Sequence, residues 1–291
     1  MTIVDAHLHV WNLERDAYAW PTPDLPALYR TMDLDDVRPS LDRAGVDAVV
    51  LVQAADTAED TAAMLEMADR HPIVAGVVGW VPLDRPRDTA TALAAYAAEP
   101  RIVGIRNLIH TQDDPNWILR PEVDEGLSLL EEAGLPFDFV TSGPTALAHL
   151  PVLARRHPAL HIVLDHLGKP PIGLDDAARR AWRDLLEAAA ANPLLTAKVS
   201  GLAAAAGAPD SWTPDLLRPF VLDAIDAFGV ERLMYGGDWP VAILAGGYDR
   251  CWDGITEVLA ELSEPERAQL LGGTATRVYG LDLRAGEPDV H

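Results

Sequence analysis

The chain has 291 residues, 49% of them apolar, with a formal charge of −22, a pI near 4.6 and a mean hydropathy of +0.03. Length and composition suit one large folded domain rather than a disordered chain. Such an acidic surface repels phosphate backbones and anionic lipid, which argues against nucleic acid and membrane partners. One cysteine, Cys251, excludes an internal disulfide. With no signal-like N-terminus, this points to a reducing cytoplasm.

In chain order, strand-like apolar runs fall at 2–10, 46–54, 73–81, 102–109, 135–140, 160–166, 194–201 and 232–239. Stretches of helical period lie between and after them, at 34–43, 58–70, 87–98, 122–133, 144–156, 175–191, 214–228 and 248–271. Continuous apolar strands alternating with helices argue for a parallel sheet covered by helices. Eight such units predict an α/β fold of the (β/α)8 TIM-barrel type, in a single domain over 1–282 with a tail at 283–291. A doubly wound sheet is the alternative. It would usually carry a glycine-rich turn after strand 1, where this chain has His9, Val10 and Trp11.

The first strand reads TIVDAHLHV. Strict alternation puts Asp5, His7 and His9 on one face and Val4, Ala6, Leu8 and Val10 on the other. In a barrel the polar set would face the lumen, and sites form at the C-terminal strand ends. Two imidazoles at i and i+2 can converge on one metal ion or one substrate atom. An HxH in isolation is more often a pair of buried histidines bonded to carbonyls; at the end of a first barrel strand, function is the better reading. Other strand ends offer partners: Gln53 on strand 2, Arg106 on strand 4, His166 on strand 6 and Asp238 on strand 8, where Gly236 and Gly237 allow close backbone approach. Each has an ordinary structural role open to it, as a cap or a loop hydrogen bond. Four together make the stronger case.

The segments DAHLHVW, VVGWVPL, GIRN, VLDHLGKPPI, KVSGL, YGGDWPV and ATRVYGL resemble the amidohydrolase superfamily. The resemblance is narrower still to its lactonase branch, which holds L-fuconolactonase, L-rhamnono-lactonase and the pyrone-dicarboxylate lactonase. It runs in order from residue 3 to about 282, and it implies a (β/α)8 barrel. By this likeness His7 and His9 match the strand-1 pair, His166 the strand-6 histidine, and Asp238 the residue that takes a proton from water. Arg106 matches the arginine of the branch's GIR motif. Members with two metals carry a lysine on strand 4, and this chain has none there; Lys198 is on strand 7 and Lys169 follows strand 6. The resemblance therefore implies either one divalent ion, such as zinc, held by His7, His9, His166 and Asp238, or a metal-independent site in which the same residues bind the lactone directly.

The expected reaction is hydrolysis of a sugar lactone to its hydroxy acid. Asp238, with an ordinary carboxylate pKa of about 4, would be the base. His7, His9 and His166 would polarise the carbonyl. Lys169 is placed to meet the leaving oxygen or a hydroxyl, and is equally a surface lysine beside a Pro-Pro turn. Trp11, Trp80 and Trp239 sit at strand ends where a sugar face stacks, although each alone is also an ordinary core residue. Trp20 and Trp117 lie in loops able to reach the mouth. With Arg106 and at most Arg120 as cations there, a neutral sugar lactone is preferred to an acidic pyrone. The rival readings are a metal-dependent decarboxylase or other cyclic-ester hydrolase of the same superfamily, and a non-catalytic binding barrel. Assembly into a homo-oligomer is left open.

Overall fold

The computed structural model describes residues 1–15, 18–141 and 143–283. Of the tail set apart at 283–291, residues 284–291 lie outside them. Eight strands follow in order: β1 (Val4–Leu8), β2 (Ala48–Val52), β3 (Val74–Gly79), β4 (Ile102–Asn107), β5 (Phe137–Phe139), β6 (Ile162–Leu164), β7 (Leu195–Val199) and β8 (Leu233–Tyr235). Each pairs in parallel with the next, in the order β1 to β8. An isolated bridge between Leu8 and Trp239 joins the ends, supported by hydrogen bonds from His9 N to Trp239 O (2.7 Å) and Asp238 N to His7 O (2.8 Å). This is a (β/α)8 barrel. Sequential order with closure excludes the doubly wound alternative, whose strand order reverses.

Eleven α-helices occur among the described residues: α1 (Leu34–Ala44), α2 (Ala58–Arg70), α3 (Pro86–Tyr96), α4 (Pro121–Ala133), α5 (Leu150–Arg156), α6 (Asp176–Ala190), α7 (Leu202–Ala206), α8 (Pro214–Phe228), α9 (Tyr248–Leu259), α10 (Glu264–Ala268) and α11 (Thr274–Tyr279). Their starts follow local chemistry. Asp33, Thr57 and Asp175 accept from the first-turn amides of α1, α2 and α6, and Pro121 and Pro214 open α4 and α8 where no amide is needed. Two expected helices are divided. The 144–156 stretch begins as a 3-10 turn over Pro144–His149 before α5. The 248–271 stretch breaks after Leu259, because Ser263 and Glu266 form a capping box and Pro265 starts a new helix, α10. No helix among the described residues is long and apolar enough to cross a membrane.

The first strand departs from strict alternation. Val4 and Asp5 pair with Ala48 and Val49, but Leu8 pairs with Leu51, so the register shifts between Asp5 and Leu8. A bulge places one extra residue against the partner strand and switches the faces beyond it. Val4 and Ala6 accordingly pack with Ala48, Val50, Val52, Val78, Val163 and Met234 in the lower lumen. Asp5 instead accepts from the Tyr248 hydroxyl of α9 (2.9 Å) and from Gly237 N (2.8 Å), outside the barrel wall. The expectation that Asp5 shares the histidine face is thus corrected. His7 and His9 do face the lumen.

Candidate active site

The C-terminal strand ends surround a cavity of about 420 Å³. His9, Arg106, His166, Lys169 and Asp238 line it with Trp20, His110 and an apolar wall that includes Leu108, Val140, Val241 and Leu244. His7 lies directly beneath, fully buried.

The imidazoles are held from behind. His9 Nδ1 donates to the Val52 carbonyl (2.7 Å), which leaves Nε2 as a lone pair facing His7 Nε2 at 3.2 Å. His7 Nδ1 faces the Lys198 ammonium (3.1 Å) and Asp165 Oδ1 (3.2 Å). His166 Nδ1 bonds Ser200 Oγ (2.9 Å), and its ring stands 4.6 Å from that of His7. Asp238 Oδ1 is 3.8 Å from His7 Nε2 and 3.7 Å from His9 Nε2. Among the described residues, four non-glycine residues have positive φ: His166 (54°), Leu167 (50°), Lys169 (54°) and Asp238 (52°). Three of these line the cavity. Left-handed backbone costs side-chain-bearing residues energy, and its concentration here marks a site whose geometry the surrounding fold imposes. Room for it comes from two glycines. A Cβ at Gly236 would lie 2.5 Å from His7 Cβ, and one at Gly201 would lie 2.7 Å from both His166 Nδ1 and Asp238 Oδ2.

Below this layer is a matched set of buried charges. Lys198 donates to Asp138 and stands 3.2 Å from Asp165. Tyr279 also donates to Asp138 (2.9 Å). Arg106 donates to Asp165 Oδ2 (3.0 Å) and to the Gln53 carbonyl. Burial alone would raise Asp165, but Lys198, His7 and Arg106 hold it well below the usual carboxylate range. Asp138 is raised to about 6 by burial, with Lys198 opposing.

Asp238 has no such partner at ion-pair distance. Burial pushes it up to about 8, against the pull of Arg106 and Lys169. The ordinary value near 4 expected for it is therefore corrected, because Asp238 is only 4% exposed. Burial likewise drives His7 and His9 well below 6.5, and His166 to about 3. All three imidazoles are neutral near pH 7.

Neutral imidazoles and a carboxylate suit a metal ion. His7, His9 and Asp238 form one cluster with converging donor atoms; His166 belongs to another, with His7 and Asp165. Donors around tetrahedral zinc at about 2.0–2.1 Å stand roughly 3.3 Å apart, and the separations of 3.2, 3.7 and 3.8 Å lie within half an ångström of that. The donor set fits one ion. Arg106 also stands 3.3 Å from His7 Nε2, so a proton donor competes for the same nitrogen.

The other expected contacts are placed differently. Gln53 is buried and gives its amide to Asp56 and the Arg106 carbonyl, so it braces two strand ends rather than lining the cavity. Trp11 donates to the Arg30 carbonyl and backs Trp20, with ring centroids 4.9 Å apart. Trp239 is buried and accepts from His9 N, and the Trp80 carbonyl accepts from Tyr96; none of the three lines the cavity. The indole that does is Trp20, held by a bond to the Ala54 carbonyl. The sequence alone assigned no role to Asp165 or His110. Asp165 was detectable, since it follows the inward Val163 at i+2, immediately past the end of β6.

A family model for amidohydrolases matches residues 4–281. The chain is 38% identical over 291 residues to an L-fucono-1,5-lactonase of Burkholderia ambifaria, covering 98% of this chain and 97% of the relative. It is 35% identical to an L-fucono-1,5-lactonase of Burkholderia multivorans, covering 96% of each. A crystal structure of an amidohydrolase from Burkholderia multivorans with bound zinc superposes with a TM-score of 0.88 at 31% identity, over 97% of this chain and all of that one. On this full-length match and on the strand-end residues it encloses, the chain belongs to the amidohydrolase family.

Proposed function

We propose that this protein hydrolyses a sugar lactone, an aldonolactone of the fuconolactone type with a 1,5- or 1,4-ring, to its hydroxy acid. The observation that carries this reading is Asp238, a buried carboxylate without an ion-pair partner, set beside two neutral imidazoles at the mouth of a barrel matched end to end by two lactonases. Water attacks the ring carbonyl and gives its proton to Asp238. The ring C–O bond then breaks, and the alkoxide that leaves is protonated to the hydroxyl of the product. His166 can offer a neutral N–H, and Arg106 a charged donor, where the oxyanion develops. Lys169 lines the same wall and is positioned for a ring hydroxyl or the leaving oxygen. A divalent ion held by His7, His9 and Asp238 would add a positive charge to polarise the carbonyl and favour ionisation of water.

The lining supports a neutral sugar. Arg106 is offset by Asp165, which leaves Lys169 as the unmatched cation among the lining residues, too few for a dicarboxylate. Arg120 pairs with Asp114 away from the cavity. Trp20 offers a ring face, and the leucine and valine wall suits a deoxy carbon. One cysteine and the acidic charge support a cytoplasmic setting without nucleic acid or membrane partners.

The test is acid release from a panel of sugar 1,4- and 1,5-lactones, on protein as purified, stripped with a chelator and reloaded with zinc. Turnover that survives stripping makes the site metal-independent. Turnover lost and then restored makes His7, His9 and Asp238 ligands. No turnover in any state would sink the lactonase reading.

A further inference from the structure

Beside the cavity is a second chamber of about 300 Å³, beyond the C-terminal ends of β4 and β5. His110 and Val140 line both spaces, so the chamber adjoins the cavity across one imidazole and one valine. Cavities of about 300–1,000 Å³ hold drug-sized ligands. The main cavity alone has room for a lactone ring, and the chamber is additional to it.

Its lining has a definite chemistry. Trp117 and Ile118, both buried, form an apolar floor on a short 3-10 turn. Gln112, Thr141, Thr145 and His149 bring polar groups around it. Thr141 is 2% exposed, and its hydroxyl has no partner among the described residues; nor has His110 Nδ1. A buried polar group left unbonded loses its hydration with nothing in return, a cost that a ligand hydroxyl would relieve. Burial first, then Lys169 and Arg106, pushes His110 down to about 4, and burial lowers His149, so both rings are neutral at pH 7. Asp113 is the one carboxylate of the lining, and no lysine or arginine belongs to it. An anion would find no counter-charge here. Hydroxyls would find neutral donors and acceptors around an indole, which is how a sugar is held.

We propose that this chamber is a subsite for a second sugar unit, so that the substrate class includes aldonolactones carrying a glycosyl group. The assignment rests on lactone hydrolysis at Asp238. The lactone ring occupies the main cavity, and the attached sugar passes His110 to lie over Trp117, with the Thr141 hydroxyl and Gln112 on its polar edge.

The experiment compares kcat/KM on glucono-1,5-lactone with that on maltobiono-, cellobiono- and lactobiono-1,5-lactone. It uses the full chain, Thr145→Trp, which fills the chamber from its exposed rim, and Thr141→Val, which removes the unbonded hydroxyl. At least one glycosyl lactone is expected to be turned over. Thr145→Trp should lower that turnover about tenfold or more while changing glucono-1,5-lactone less than about twofold, and Thr141→Val should give a smaller loss with the same selectivity. Turnover of glucono-1,5-lactone, with every glycosyl lactone inert both as substrate and as competitive inhibitor, overturns the subsite alone. So does a Thr145→Trp variant that hydrolyses glycosyl lactones as well as the parent. If neither class reacts and the wider panel of unsubstituted 1,4- and 1,5-lactones is inert as well, the lactonase reading fails and the subsite falls with it.

Discussion

The lower and upper halves of the barrel lumen are built by the same eight strands yet differ in kind. Below, Val4, Ala6, Ala48, Val50, Val52, Val78, Val163 and Met234 pack against Tyr279 of α11 as an apolar plug. Above, the inward positions carry Asp138, Lys198, Asp165, Arg106, His7 and His9. Within the upper half a further division follows depth. Lys198 and Arg106 are matched by Asp138 and Asp165, all fully or almost fully buried. Asp238, His9, His166 and Lys169, one level higher, face the cavity without a matching ion pair at short range. A buried charge is tolerated where a partner satisfies it, and reactive where none does. The deeper layer holds the barrel and the histidines in place, and the upper one is left for chemistry.

That division can be broken at each level. Replacing Asp238 by Asn should lower kcat by about 10²–10⁴ while thermal unfolding stays unchanged, because the base is lost and the shape is kept. Wild-type turnover by this variant would end the assignment. Lys198→Met should act on folding: two buried carboxylates lose their shared cation, and urea unfolding should report a loss of about 3–5 kcal/mol. Met234→Ala, in the apolar plug, should cost about 2–3 kcal/mol through the cavity it leaves, with KM unaltered. A changed KM there would mean that floor and mouth are not independent. The smallest effect is in the pH profile. Asp238 is pushed up to about 8, so in chelator-treated protein it is largely protonated at pH 7 and unable to accept a proton from water. Enzymatic kcat/KM, corrected for alkaline hydrolysis of the lactone, should rise with pH and level off above about 8, and zinc should move that limb to lower pH. A profile flat from pH 6 to 9 without metal would show that Asp238 is ionised throughout.

Much of this was legible along the chain. Each of the eight strands lies within its apolar run, since a strand buried on both faces must be apolar almost throughout. Helices α2 and α8 match the expected 58–70 and 214–228, where Thr57 and Pro214 mark the starts. Alternation misplaced Asp5 because a bulge depends on the register of a partner strand more than forty residues away. His166 turns inward beside Asp165 because its backbone adopts φ 54°, against the preference of its residue type. The tryptophans show the same limit: whether an indole lines a cavity or backs another indole depends on which loop folds over it, and Trp20 rather than Trp11 takes the cavity wall.

By itself the sequence determined the alternation of strands and helices, helix starts such as those of α2 and α8, and the kinds of side chain delivered to the strand ends, all properties of periodicity and local hydrogen bonding. Only the tertiary structure decided which polar groups are satisfied. Lys198 meets Asp138 across 60 positions and Arg106 meets Asp165 across 59. That Asp238, facing the cavity, is left without a lysine or arginine partner emerges only when the barrel closes, because ion pairing and desolvation act through space and not along the chain.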